Sequence, residues 1–303
     1  MRIRLIVNEH ASSVTPTRRM IVEKALDADH ELEVVTTRER GHATDLAADA
    51  ATTGVDVVVV LAGDGTLNEA ANGLLGTHTA LTPLPGGSTS VFARILGYST
   101  DTIEALGQLL YALEARRIIP VGIGSINGRA FLCHAGIGFD AAVIERIERR
   151  AALKRVVGHP AFVGTAFDTW FRRFDRARTR FSLEIAGETI DDVGLAIVEN
   201  TDPYTFLGNR PVRLEPRAKL DTPFGVLALR RIRLTQVLRT SVGALSTDRL
   251  FEHHHDVLRR FPVSSVTVRA KTPVPYQIDG EYLGVSNALD VQYHADALRV
   301  VRP

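Results

Sequence analysis

The sequence predicts a parallel α/β domain followed by a second domain built mostly from antiparallel strands. Three observations carry that prediction. Strand and helix signals alternate over the first 120 residues. The run Val55-Asp56-Val57-Val58-Val59-Val60-Leu61 is β-branched and short enough for a strand buried on both faces. After Pro120, Ile126-Asn127-Gly128-Arg129 signals a hairpin, since Asn-Gly supplies two adjacent positions with positive φ.

Taken in order, residues 2–7 read as the first strand, with charge and hydrophobe alternating before a polar turn. A helix over 17–27, a strand over 32–36 and a helix over 42–52 follow. The strand at 55–61 leads to a helix over 67–75, a strand over 79–84 and a helix over 91–96. A long helical stretch from 140 to 174 then precedes short strands at 181–185, 194–198, 226–232, 265–270 and 274–278. The chain has room for two domains of roughly 150 residues each. The boundaries fall at 1–120 and 121–288, and the tail 289–303 has the strand character to return to the first domain.

Composition narrows the function classes. With 36 Lys and Arg against 35 Asp and Glu, the chain carries no overall charge that would draw nucleic acid. The single cysteine, Cys133, cannot form an intramolecular disulfide, which suits a reducing cytoplasm; in the apolar run Ala130-Phe131-Leu132-Cys133 it reads as a buried inert thiol. No run approaches the roughly 20 apolar residues needed to cross a bilayer, so a membrane would be met from its surface.

The strongest chemical signal is Leu61-Ala62-Gly63-Asp64-Gly65-Thr66-Leu67-Asn68-Glu69, where a buried strand ends in glycines just before a helix. Glycines let the backbone approach a phosphate, and free N–H groups at a helix start bind anions. A carboxylate repels phosphate, so Asp64 points to a metal ion, a ribose hydroxyl or an acceptor hydroxyl, or else it caps the helix. Pro83-Leu84-Pro85-Gly86-Gly87-Ser88-Thr89-Ser90 repeats the arrangement at the next strand. Neighbouring strand ends form a crevice, so both loops are expected to face one ligand. Neither is a Walker A or a G-x-G-x-x-G motif. Near the C-terminus, Gln277-Ile278-Asp279-Gly280-Glu281 sets two carboxylates around a glycine turn.

In their order, Gly63–Thr66, Pro85–Ser88, Gly136-Ile137-Gly138-Phe139-Asp140, Asn200 and Asp279-Gly280-Glu281 make this chain resemble the diacylglycerol kinase catalytic family, shared by sphingosine kinases and bacterial lipid kinases. The resemblance implies a Rossmann-like α/β nucleotide domain, a β-rich, sandwich-like lipid-substrate domain, and an ATP cleft between them. It implies nucleotide contacts at Asn8, Thr37, Gly63, Asp64, Gly65, Thr66, Leu67, Asn68, Glu69, Gly87 and Ser88. Asp64, Asp279 and Glu281 match the acids around the transferred phosphoryl, with the general base at Asp279 or Glu281. Asp221, within Lys219-Leu220-Asp221-Thr222-Pro223-Phe224-Gly225, matches the family's structural Mg²⁺ segment. The implied partners are ATP, Mg²⁺ and a lipid alcohol, with no nucleic acid, and a homodimer stays open.

The chain departs from the family pattern at several positions. Asn8-Glu9 stands for Asn-Pro, Ala62 for the first loop glycine, and Ser90-Val91 for Asn-Asp in the second loop. The last change leaves the lipid unspecified. NAD kinases share the Gly-Asp-Gly loop but should carry a Thr-Pro-x-Gly-Ser-Thr stretch that this chain lacks. A nucleotide- or lipid-binding relative without turnover is the other alternative. His253-His254-His255 would point in different directions on a helix and reads as a solvated face. The segment Trp170 to Phe181 interleaves aromatics with arginines. It reads either as a packed helix with its arginines in water or as a surface docking on anionic lipid.

Overall fold

A computed structural model of the chain describes residues 1–151, 180–230 and 257–303. Two compact units emerge, Met1–Ile123 with His294–Pro303, and Gly124–Tyr293.

The first unit alternates β1 (Arg2–Val7), α1 (Pro16–Asp27), β2 (Glu31–Thr36), α2 (His42–Thr52), β3 (Val57–Ala62), α3 (Asp64–Leu74), β4 (Ala80–Pro85), α4 (Val91–Leu96) and α5 (Thr102–Glu114). Its sheet is parallel in the order β2-β1-β3-β4, and the C-terminal end of the last strand, β16 (Glu281–Val301), adds beyond β4 with Arg299 beside Ala80. Every residue of β3 and β4 is buried, as an apolar run covered on both faces requires. Local chemistry sets the helix starts. The Thr15 hydroxyl accepts from Arg18 N at 3.2 Å ahead of Pro16, and Asp101 accepts from Ile103 N and Glu104 N. The sequence reading passes over α5, although Ala105, Leu106, Leu109, Ala112 and Leu113 are buried at helical spacing. Tyr98 secures the returning tail: its hydroxyl donates to the Val301 carbonyl at 3.1 Å and accepts from Thr82, and burial pushes its pKa up to about 12.

The chain enters the second unit through β5 (Ile118–Ile126) and turns at Asn127-Gly128, both at positive φ, into β6 (Arg129–Phe131). After β7 (His134–Gly138) and α6 (Phe139–Ala151) come β8 (Phe181–Ile185), β9 (Glu188–Val193), β10 (Leu195–Glu199), the small hairpin β11 (Thr205–Leu207) with β12 (Arg210–Val212), β13 (Phe224–Leu229), β14 (Val257–Val263) and β15 (Ser265–Ile278). These strands pair antiparallel in the order β14-β13-β10-β7-β15. The expected strands at 265–270 and 274–278 are one strand, irregular between Arg269 and Val274, which pairs β8 with its first half and β7 with its second. A core around Phe131, Ile137, Val198, Phe224, Val268 and Ile278 fills one face of this sheet.

Candidate active site

In the first unit the expected nucleotide residues lie at or just after the C-terminal ends of β1, β2, β3 and β4. The helix α3 begins at Asp64 rather than at Leu67, so Asp64-Gly65-Thr66 is its first turn and Gly63 its N-cap. First-turn N–H groups have no helical carbonyl to bind, which is what an anion uses. The second loop is pressed against the first. A Cβ on Gly87 would stand 2.9 Å from the Gly63 Cα, so no larger residue fits without moving the loop. Asn8, at the end of β1, donates to the Thr66 hydroxyl at 3.0 Å. Thr37 follows β2, with its N–H on the Val7 carbonyl. Gly65 and Ser88 are exposed and Glu69 is half-buried, whereas Leu67 and Asn68 are buried, with Asn68 Oδ1 accepting from Asn72 Nδ2 at 3.2 Å.

The two carboxylate oxygens of Asp64 accept from Val91 N at 3.1 Å and Phe92 N at 3.3 Å, with the Thr89 hydroxyl at 3.4 Å. Asp64 therefore caps α4, the helix that follows the other loop. It occupies the helix entry that the sequence reading left for a ligand. A negative charge on first-turn amides is stabilising, which gives this acid a place in a loop that otherwise favours anions.

In the second unit, Asp279 sits in the left-handed region at φ 47° and Gly280 at 83°. The Asp279 carboxylate accepts from Leu132 N, Cys133 N and His134 N at 2.8, 2.8 and 3.0 Å. These donors take three of the roughly four acceptor positions a carboxylate offers. That geometry corrects the expectation that Asp279 serves equally well as a base. Glu281 meets the Arg129 guanidinium at 2.8 Å and stays partly accessible.

Next to this turn lies a polar network whose partners the sequence reading missed. Asp140 accepts from Gln277 Nε2 at 2.7 Å and from the Tyr204 hydroxyl at 2.9 Å. Gly136 makes the room: a Cβ there would fall 1.8 Å from Asp140 Oδ2. The His134 ring packs on Tyr204 at 4.1 Å, and burial lowers its pKa to about 4, opposed by the Asp140 charge. Burial also pushes the Tyr204 hydroxyl well above its ordinary range, and the Asp140 charge adds to it. Glu199, cross-strand from His134, is 1% exposed. Among the described residues neither of its oxygens has a well-formed hydrogen bond. Burial first, then the Asp202 charge, raises its pKa well above the usual carboxylate range, against the opposing pull of the Glu215 N–H.

Asp221, the expected metal ligand, stands exposed in a turn closed by Thr222 N on the Lys219 carbonyl. Among the described residues no group of three or more His, Cys, Asp or Glu could hold a metal ion. Asp221 is thus not gathered with two further such side chains. Of the aromatic and arginine segment, Phe181 is core and Arg180 pairs with Asp192, while residues 170–179 and His253–His255 lie outside the described residues. No helix among the described residues is long and apolar enough to cross a membrane.

Known proteins resemble this chain in sequence and in fold. Residues 2–126 match the model of the diacylglycerol kinase catalytic domain. A diacylglycerol kinase of Bacillus subtilis is 27% identical over 88% of this chain and 84% of its own. A probable lipid kinase, YegS-like, of Chromohalobacter salexigens is 29% identical over 91% and 86%. The crystal structure of a putative diacylglycerol kinase from Bacillus anthracis covers all of this chain and 97% of its own, with a TM-score of 0.77 at 21% identity, a likeness of fold.

Proposed function

We propose, from the match of residues 2–126 to the diacylglycerol kinase catalytic domain, that this chain is an ATP-dependent lipid kinase, phosphorylating the hydroxyl of diacylglycerol or a related lipid alcohol. The observation that carries the reading is the contact of Gly63 with Gly87 beside the first turn of α3, at the C-terminal ends of adjacent parallel strands. Backbone amides there suit phosphate oxygens, with Asn8 and Thr66 beside them and Thr37 at the next strand end. ATP enters as its Mg²⁺ complex.

Phosphoryl transfer needs positioning, neutralised charge and a group to take the hydroxyl proton. We assign the proton to Glu281, since Asp279 is committed to three backbone amides. Asp64 holds the second loop against the first through α4. On this reading the second unit takes the lipid, and the arginines of residues 172–180 meet an anionic membrane surface. The specific lipid would be set by apolar lining, which generic hydrophobic residues provide.

The test is product formation from ATP with diacylglycerol, a sphingoid base and NAD in parallel, alongside nucleotide binding. A phosphorylated lipid is expected. Phosphorylation of NAD alone would replace the reading with an NAD kinase. Nucleotide binding with no product would favour the binding-only relative, the reading that Ala62 and Ser90-Val91 motivate.

A further inference from the structure

Gln277 is 0% exposed, yet it carries a primary amide whose two ends do different things. Its Nε2 donates to Asp140 Oδ2 at 2.7 Å, and its Oε1 accepts from Gly280 N at 2.8 Å. A carboxylate only accepts, so Asp140 dictates which way the amide faces. With the amide reversed, its NH₂ would meet the Gly280 N–H, donor against donor. The Gly280 amide lies between Asp279 and Glu281, in a turn whose two central residues both adopt positive φ, as Asp-Gly favours in a two-residue turn. Tyr204 fixes the other oxygen of Asp140, and Gly136, the register partner of Gln277, leaves room for both side chains.

We propose that Gln277 is a positioning residue, through which Asp140 sets the Asp279-Gly280-Glu281 turn and so aims Glu281. The proposal rests on the kinase reading for its consequence in turnover, but not for the coupling itself.

Reversing the polarity of the contact tests it. Asp140→Asn offers one acceptor to two donors, and Gln277→Glu sets two carboxyl groups within hydrogen-bond distance. In the double variant the new amide at position 140 can accept from Tyr204 and donate to the new carboxylate at position 277. The other oxygen of that carboxylate accepts from Gly280, so all three hydrogen bonds survive. Each single variant is expected to lower kcat at least tenfold with the KM for ATP unchanged, and to speed hydrogen exchange of the Gly280 amide. The double variant should return both to within about threefold of the unsubstituted protein. Gln277→Glu should also regain turnover as pH falls and its carboxyl pair takes up a proton, a limb the double variant lacks. Single variants indistinguishable from the unsubstituted protein overturn the proposal. So does a double variant that is unfolded or no better than Asp140→Asn, since Asp140 would then act elsewhere. An unsubstituted protein that phosphorylates no lipid alcohol overturns the kinase reading instead, and Gly280 exchange still decides the coupling.

Discussion

Asp279 and Asn200 grip the same three-residue segment from opposite polarities. Asp279 accepts the amides of Leu132, Cys133 and His134, while Asn200 donates its side-chain Nδ2 to the Leu132 carbonyl at 2.9 Å and its backbone N–H to the Cys133 carbonyl at 2.8 Å. This segment joins β6 to the first residue of β7, and its backbone polar groups find partners in these two residues.

It follows that the two acids of the turn differ in what their removal does. Asp279→Ala leaves three amides without their acceptor, at about 1–3 kcal/mol for each one left buried and unmade, and is expected to lower the melting temperature sharply. Glu281→Gln gives up a partly exposed ion pair and should fold and bind ATP normally. Its turnover should fall by at least about a hundredfold, within the range of general base catalysis. Melting curves with parallel binding and turnover check both, and near-normal turnover of Glu281→Gln removes it as the base.

Asp64→Asn retains one acceptor where the helix start of α4 uses two. A loss of about 1 kcal/mol in stability is expected from the weakened cap. Turnover should drop at least about tenfold, equivalent to 1.4 kcal/mol, because the second loop loosens beside the nucleotide. A variant with the stability loss and full turnover would leave Asp64 a cap and nothing more.

Two buried groups give opposite pH dependences. Glu199 has a raised folded pKa, so the stability it contributes is present below its ordinary value of 4.5 and is lost as pH rises toward the folded value. Glu199→Gln should therefore gain on the unsubstituted protein as pH climbs above about 4.5, and not below it. His134 has a folded pKa depressed from 6.5 to about 4, so its contribution is present above 6.5 and lost as pH falls through that window. The shift corresponds to roughly 3 kcal/mol. His134→Phe, which keeps a ring against Tyr204, should flatten that acid limb. Denaturant midpoints between pH 4 and 8 measure both, and parallel curves for variant and unsubstituted protein would refute the assignment.

Replacing Arg172, Arg173, Arg176 and Arg178 by Gln should weaken binding to anionic vesicles, each charge being worth about 1 kcal/mol near such a surface. Turnover of a soluble short-chain lipid should stay nearly unchanged. Vesicle binding that ignores both the substitutions and added salt would remove these arginines from any membrane contact.

The sequence by itself determined the alternation of the first unit, apart from α5, and the turn that opens the second. The all-apolar β3, the helical spacing of buried residues and the Asn127-Gly128 turn are short-range signals, each written within about a dozen residues, and local propensity reads them directly. It also placed Gly63, Gly87 and the Asp279-Gly280-Glu281 turn at element ends, because glycine and Asp announce turns wherever they stand. What each acid does was decided only by the tertiary structure. Asp64 finds its amides 27 residues away and Asp279 finds its own 147 residues away, separations at which no periodicity links the partners. The glycine at Gly136 shows the same division. In sequence it is one small residue of Gly136-Ile137-Gly138, and its reason lies in the Asp140 carboxylate that α6 carries back over it and the Gln277 amide brought alongside by β15. Where several distant segments must share one small volume, packing selects the residue.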